Sequence, residues 1–379
     1  MTARLVGYAN RRLNEIVIPG SHDGGIYMFA KDNVQTQALN IFEQAMAGIR
    51  FFDIRIAVQA IQMNDGTTVN VSKAFHLDQK LIGGKKNATQ SMGKFGGWGG
   101  SLQQILMDAQ RYVTQYPSEF LILKFSKSFG WPNIFTLCKN ILGNEQYKPN
   151  WGFRNLNTAT VGSLAGKVIT LFPPATLAEY EQKGALNIRN AADTDWGFLP
   201  FKELYNADTK KCDGYDIAGN GLQYFGKFSS TSKVDDNTRK QRKLMESGGG
   251  SADPAVVGMM YWTTTGLFAN IRERNDTMWT NGSQSALINT WTSGLEGSIR
   301  NQLGHKQNLL EVINMNHGNM LKAFMPNIVM MDFSNRERCN TIYGLNGVTP
   351  QELDRMIDRQ RPDIVNKLRK QQETLAQAR

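Results

Sequence analysis

Six short apolar runs punctuate the chain: Glu15–Pro19 (EIVIP), Gly48–Ile56 (GIRFFDIRI), Phe120–Phe125 (FLILKF), Lys167–Phe172 (KVITLF), Val256–Trp262 (VVGMMYW) and Asn327–Phe333 (NIVMMDF). Each has strand length and nearly unbroken hydrophobicity, the pattern of parallel strands buried on both faces. Helical periodicity lies between them. Ser101 is placed to cap a helix running to Gln115, with Leu102, Ile105, Leu106, Ala109 and Val113 along one face. Ala286–Leu303 carries a similar pattern. Strand and helix alternate from end to end, which predicts an α/β fold with a parallel sheet. The number of runs and the chain length suit a distorted (β/α)8 TIM barrel better than a three-layer sandwich. No glycine-rich phosphate fingerprint follows the first strand. Neither an internal repeat nor a linker divides the chain, so residues 1–348 are expected to form one barrel domain.

Polar and glycine-rich stretches predict the connections. Gly83–Gly100 (GGKKNATQSMGKFGGWGG) reads as a basic loop that exposes Trp98, and residues 204–254 read as largely irregular. Thr349-Pro350-Gln351-Glu352 is a capping box with proline at the first helical position. Residues 349–379 are therefore expected as a C-terminal helical extension, interrupted or kinked at Pro362.

Charge adds one constraint. The chain has 43 Lys+Arg against 33 Asp+Glu, a formal net charge of +10, which attracts polyanions such as nucleic acid or an anionic membrane surface. The lysines are dispersed (Lys73, Lys80, Lys85, Lys86, Lys94) rather than gathered in a tract, so no nucleic-acid partner is expected. Cys138, Cys212 and Cys339 are odd in number and lack CxxC spacing, which predicts three buried thiols rather than a disulfide framework or a zinc site. No run has the length of a membrane span. The N-terminal MTARLVGYANRRLNE is basic without an apolar core, so no secretory signal is visible.

Candidate chemistry centres on histidine. There are four: His22, His76, His305 and His317. His22 and His76 end strand-like segments (IPGSHDGG, KAFHLD), as do Asp53, Arg55 and Asp332. In a parallel barrel, residues at strand carboxyl ends converge on the active-site mouth. Paired imidazoles suit attack of a hydroxyl on a phosphodiester, one accepting a proton and the other donating one. Neighbouring carboxylates would fix their tautomers, and an arginine would stabilise the phosphoryl oxygens. Histidines at strand ends are also common as purely structural residues, and a two-histidine metal centre is a further reading of the same residues.

The motifs resemble a known family. IVIPGSHDGG and GIRFFDIRI are similar to the first two motifs of the X-region of phosphatidylinositol-specific phospholipases C. AFHLD stands where their second catalytic histidine falls, Tyr116–Lys124 (YPSEFLILK) resembles their fourth strand, and NIVMMDF resembles the closing one. The bacterial branch of the family implies a secreted enzyme that cleaves phosphatidylinositol to diacylglycerol and inositol 1,2-cyclic phosphate. By position, the resemblance makes His22 the general base, oriented by Asp332. It makes His76 the general acid, with Asp23 as its carboxylate partner. Arg55 would contact the phosphate with Asp53 supporting it, and Lys124 would face the inositol. Calcium-dependent relatives carry acidic ligands where Arg55 and Lys124 stand, so no metal and no cofactor is expected. The implied partners are phosphatidylinositol or an inositol phosphate, and an anionic membrane surface met peripherally by a monomer. Trp98 and Phe95 are candidates for membrane contact beside the alternative that Trp98 packs on the barrel rim.

Two departures bear on specificity. The fifth strand runs into Pro173-Pro174 where the family has an arginine, and its Asp-x-Tyr platform falls on Gly226–Phe228. Two rivals remain: a metal-dependent glycerophosphodiester phosphodiesterase, and a non-catalytic X-domain that binds phosphoinositide or lipid.

Overall fold

The computed structural model describes residues 5–27, 34–76, 96–142, 155–182, 198–249, 255–265, 270–280, 286–293 and 326–347, with scattered helical positions between 366 and 377. Eight strands run parallel and close on themselves. They are β1 (Ile18–Ser21), β2 (Phe51–Ile54), β6 (Leu121–Phe125), β7 (Val168–Phe172), β8 (Phe198–Glu203), β9 (Leu222–Phe225), β10 (Val257–Tyr261) and β11 (Pro326–Met331). Their order is β1-β11-β10-β9-β8-β7-β6-β2, with β2 returning to β1. The predicted barrel is therefore present. Period-two alternation divides each strand between two cores. Ile122, Ile169, Leu199, Leu222, Val257 and Ile328 fill the interior, whereas Leu121, Leu123, Phe125, Phe172 and Met331 face the surrounding helices.

Among the described residues the helices lie at 41–47, 102–115, 131–142, 161–164, 174–182, 234–249, 271–277, 286–293 and 336–344. Ser101 caps the second by accepting a hydrogen bond from the Gln104 amide at 3.2 Å. No helix joins β8 to β9. Among the described residues no helix is long and apolar enough to cross a membrane. Cys138, Cys212 and Cys339 are buried free thiols.

The structure corrects several sequence expectations. The GIRFFDIRI run is not one strand. It breaks at Arg55, where the chain leaves the barrel and continues as β3 (Ile56–Gln62), β4 (Thr68–His76) and β5 (Gly97–Ser101), an antiparallel sheet in the order β3-β4-β5. The last part of the predicted glycine loop is thus strand. Its glycines serve a close approach, since a Cβ on Gly99 would stand 2.1 Å from the Gly25 carbonyl oxygen. Trp98 is half-buried against Phe75, with ring centroids 6.4 Å apart, rather than presented to solvent. The 204–254 stretch holds β9 and the 234–249 helix. Residues 77–95, the 349–361 capping box and helix, His305 and His317 lie outside the described residues.

Candidate active site

The carboxyl ends of the barrel strands form one mouth. His22 follows Ser21 at the end of β1, and its amide donates to the Met331 carbonyl at 3.0 Å, tying it to β11. Its buried ring donates from Nδ1 to Asp332 Oδ1 at 3.0 Å. The second Asp332 oxygen accepts from the Thr263 hydroxyl and from Asn275 Nδ2. Gln37 Nε2 donates to the carbonyls of His22 and Met331 at 3.0 and 3.1 Å. Phe228, just beyond β9, stacks on the imidazole with centroids 4.8 Å apart and planes 13° from parallel, and Tyr261 meets it edge-on. These contacts come from five separate stretches of the chain, at Gln37, Phe228, Tyr261 with Thr263, Asn275, and Met331 with Asp332.

Asp23 lies at the centre. Its backbone is left-handed, with φ of 45°, a conformation costly outside glycine. The turn is held by Ile26 N and Thr36 Oγ1, which both donate to its carbonyl. Asp23 Oδ1 is 2.8 Å from Arg55 Nε, and Oδ2 is 3.5 Å from His76 Nε2 and 3.7 Å from His22 Nε2. The resemblance gives Asp23 to His76 alone, but the structure shares it among His76, His22 and Arg55. His76 does not end a barrel strand. It ends β4 of the small sheet and reaches the mouth because Phe75 N donates to the Arg55 carbonyl at 3.1 Å.

Asp53 and Lys124 also differ from the expected arrangement. Asp53 accepts from Lys124 Nζ at 3.1 Å and from Ser126 Oγ at 2.7 Å, and Arg55 acts on it electrostatically. Lys124 follows Ile122 on the inward face of β6, and its ammonium lies over the Phe201 and Tyr224 rings at 4.9 and 5.4 Å. It is a buried, paired cation.

The electrostatics separate the two histidines. Burial alone would lower the His22 pKa, but the carboxylates of Asp23 and Asp332 outweigh it and raise the value above ordinary histidine. For His76, burial outweighs the pull of Asp23, and Arg55 and His22 add to the lowering. Burial would also raise Asp53, yet Lys124 and Arg55 hold it down to about 2. Burial opposes the charge on Lys124, and Asp53 more than compensates. The buried polar atoms without a hydrogen-bond partner include His22 Nε2, both Asp23 carboxylate oxygens, Arg55 Nε and His76 Nδ1. All but the last meet around Asp23, so these groups attract one another without the alignment of settled hydrogen bonds.

Among the described residues, His22, Asp23 and Asp53 each offer one possible metal-ligand atom, all within 4.8 Å of one another. The whole cluster can accept a proton at one imidazole, donate one at the other and stabilise an anion at Arg55. His22, Asp23, Arg55, His76 and Asp332 are all brought to this mouth. Thr263, Asn275, Gln37, Ser126 and Phe228 were not singled out by sequence reasoning. Only Phe228 had a signal, by falling on the position of the family's platform.

No family model matches the chain. It is 29% identical over 151 residues to a 1-phosphatidylinositol phosphodiesterase of Staphylococcus aureus (strain Newman), a stretch covering 38% of this chain and 40% of the relative. The same identity holds for the protein of that description from strain NCTC 8325 / PS 47, over 38% of each chain. The chain thus matches well under half the length of these curated relatives. Among solved structures, a phosphatidylinositol-specific phospholipase C from Listeria monocytogenes superposes with a TM-score of 0.45 at 14% identity, covering 89% of this chain and 94% of that one. One from S. aureus gives a TM-score of 0.46 at 14% identity, over 88% and 94%. The chain resembles bacterial phosphatidylinositol phosphodiesterases in sequence.

Proposed function

We propose that this chain is a metal-independent phosphatidylinositol-specific phospholipase C. The observation that carries the reading is the placement of two imidazoles on one carboxylate oxygen, with an arginine on the other oxygen. In the proposed reaction His22 Nε2 takes the proton of the inositol 2-hydroxyl, whose oxygen then attacks phosphorus. The bond from phosphorus to the glycerol oxygen breaks, and His76 gives that oxygen its proton. The products are inositol 1,2-cyclic phosphate and diacylglycerol, with slower hydrolysis of the cyclic ester. Asp332 fixes the tautomer of His22 and stabilises the imidazolium that forms. Arg55 opposes charge on the phosphoryl oxygens.

Metal-free action is supported by what already occupies the carboxylates. Lys124 Nζ is 3.1 Å from Asp53 and Arg55 Nε is 2.8 Å from Asp23. A divalent cation on His22, Asp23 and Asp53 would sit beside two fixed positive charges, with few oxygens to offset them. This donor set does not fit calcium, and no step is assigned to a metal. The reading carries with it a secreted monomer acting at an anionic membrane surface, a substrate of phosphatidylinositol or an inositol phosphate, and residues 349–379 as a helical extension of the barrel.

Phosphorus NMR of phosphatidylinositol incubated with the protein and excess chelator tests this directly. A cyclic phosphate resonance is expected, unchanged by added Ca²⁺. Product formed only after metal is restored would favour the metal-dependent phosphodiesterase, and lipid binding without any product would favour the non-catalytic X-domain.

A further inference from the structure

Four non-glycine residues among those described have a left-handed backbone: Asp23, Lys127, Lys210 and Phe333. Three lie just beyond a barrel strand at the same mouth. Asp23 is the central carboxylate, and Phe333 follows Asp332. Lys127, two residues past β6 with φ of 48°, has no role in the arrangement described so far. Such strain persists only where the surrounding chain over-determines it, and it concentrates where a side chain must be aimed.

The chain around Lys127 is pinned on both sides. Ser126 N donates to the Ile54 carbonyl at 3.0 Å and Ser126 Oγ to Asp53 at 2.7 Å. Ser128 Oγ donates to the Ser126 carbonyl at 3.1 Å and accepts from Ile56 N at 2.9 Å, and Phe129 N donates to the Ile56 carbonyl at 2.7 Å. These bonds lock the segment to the point where β2 gives way to β3, which is the position of Arg55. Only the Lys127 side chain is left to project, and it remains accessible to solvent. Burial lowers its pKa, Arg55 and Lys124 add to the lowering, and Asp23 and Asp53 oppose it.

Charge balance supplies the second argument. In the proposed mechanism Asp23, Asp53 and Asp332 are balanced by Arg55, Lys124 and the one imidazolium carried by the histidine pair, so the centre is already neutral without Lys127. Among the described residues, Lys127 forms no ion pair of its own. It therefore adds one surplus positive charge to a site whose proposed substrate, a phosphodiester, carries one negative charge.

We infer that Lys127 is a second phosphate-contacting cation, meeting the non-bridging oxygens of the reacting phosphodiester together with Arg55. The inference rests on the phospholipase C reading. It involves no covalent step at lysine.

The test begins with wild-type protein and cyclic phosphate release from phosphatidylinositol in detergent micelles. No product from wild type overturns the functional reading and this inference together. With wild type active, Lys127→Gly should lose about a hundredfold in kcat/KM while melting no lower than wild type, because glycine adopts positive φ without strain. Lys127→Cys should lose as much. Treating that variant with 2-bromoethylamine rebuilds a side chain ending in an ammonium and should restore most of the activity, whereas iodoacetamide, which installs a neutral amide, should not. The native thiols Cys138, Cys212 and Cys339 are buried, so the reagents address the introduced one. Lys127→Gly at the wild-type rate, or equal recovery with both reagents, overturns the inference and leaves the functional reading standing.

Discussion

The two histidines stand on different kinds of scaffold. His22 ends a strand flanked by β2 and β11 in a closed barrel, and its orienting carboxylate is fixed in turn by Thr263 and Asn275. His76 ends the middle strand of a three-stranded sheet in which, among the described residues, β3 and β5 are edge strands. The His76 side chain is 19% exposed against 2% for His22, and its Nδ1 has no hydrogen-bond partner among the described residues. A barrel position cannot move without parting two ladders, whereas a sheet position can shift with its sheet. The contrast explains the opposite pKa directions. His22 has two carboxylates against its burial, whereas His76 shares one with two competitors.

The largest effect that could break this comparison is an exchange of roles. His22→Ala and His76→Ala should each lose about 10²- to 10⁴-fold on phosphatidylinositol. On an inositol phosphate ester of p-nitrophenol, whose leaving group needs no proton, His76→Ala should regain most of its rate and His22→Ala none. Recovery by His22→Ala alone would place the base on the small sheet.

A smaller effect concerns protons. The proposed mechanism requires a neutral His22 and a protonated His76, the reverse of their resting preferences. That form is then a fixed minor fraction of the singly protonated pair. Activity should therefore rise with pH through the lowered pKa of His76 and fall through the raised pKa of His22. Asp332→Asn should cost about a hundredfold and move the alkaline limb to lower pH, because a cause of the raised value is gone. The acid limb should move less, because Asp332 is only a minor influence on His76. A larger movement of the acid limb would show that Asp332 acts mainly on His76.

The smallest effect sharpens the scaffold contrast. Gly99→Ala places a methyl 2.1 Å from the Gly25 carbonyl and should cost about 1–3 kcal/mol by denaturant unfolding, since backbone must give way. Activity should fall through displacement of β4 and His76, while the alkaline limb set by His22 holds. A shift of that limb would mean the small sheet and barrel are mechanically one.

The barrel was legible where strands are long and unbroken. β6, β7, β10 and β11 coincide with apolar runs because burial on both faces leaves no polar interruption. β8 (FLPFKE) and β9 (LQYF) were missed, the first carrying a proline and charges, the second too short to show a period. The excursion into β3–β5 was hidden because no turn residue marks the switch at Arg55. Period two correctly turns Lys124 inward with Ile122, but nothing local says that Asp53 rather than substrate receives it. Thr263 and Asn275 were invisible for the same reason. Their role depends on Asp332, which lies 69 and 57 residues away in sequence.

The pairing of β1 with β11 has a temporal consequence. His22 and Asp332 are separated by 310 residues, so in the proposed mechanism the base and its orienting carboxylate meet only across a long loop closure. Synthesis releases His22, Asp23, Arg55 and His76 well before Asp332. A nascent chain that has not yet made β11 carries both imidazoles, yet His22 is without Asp332 and the barrel has an open seam. On that mechanism competence arrives in one step, when β11 zips beside β1, and the site is kept inert until then.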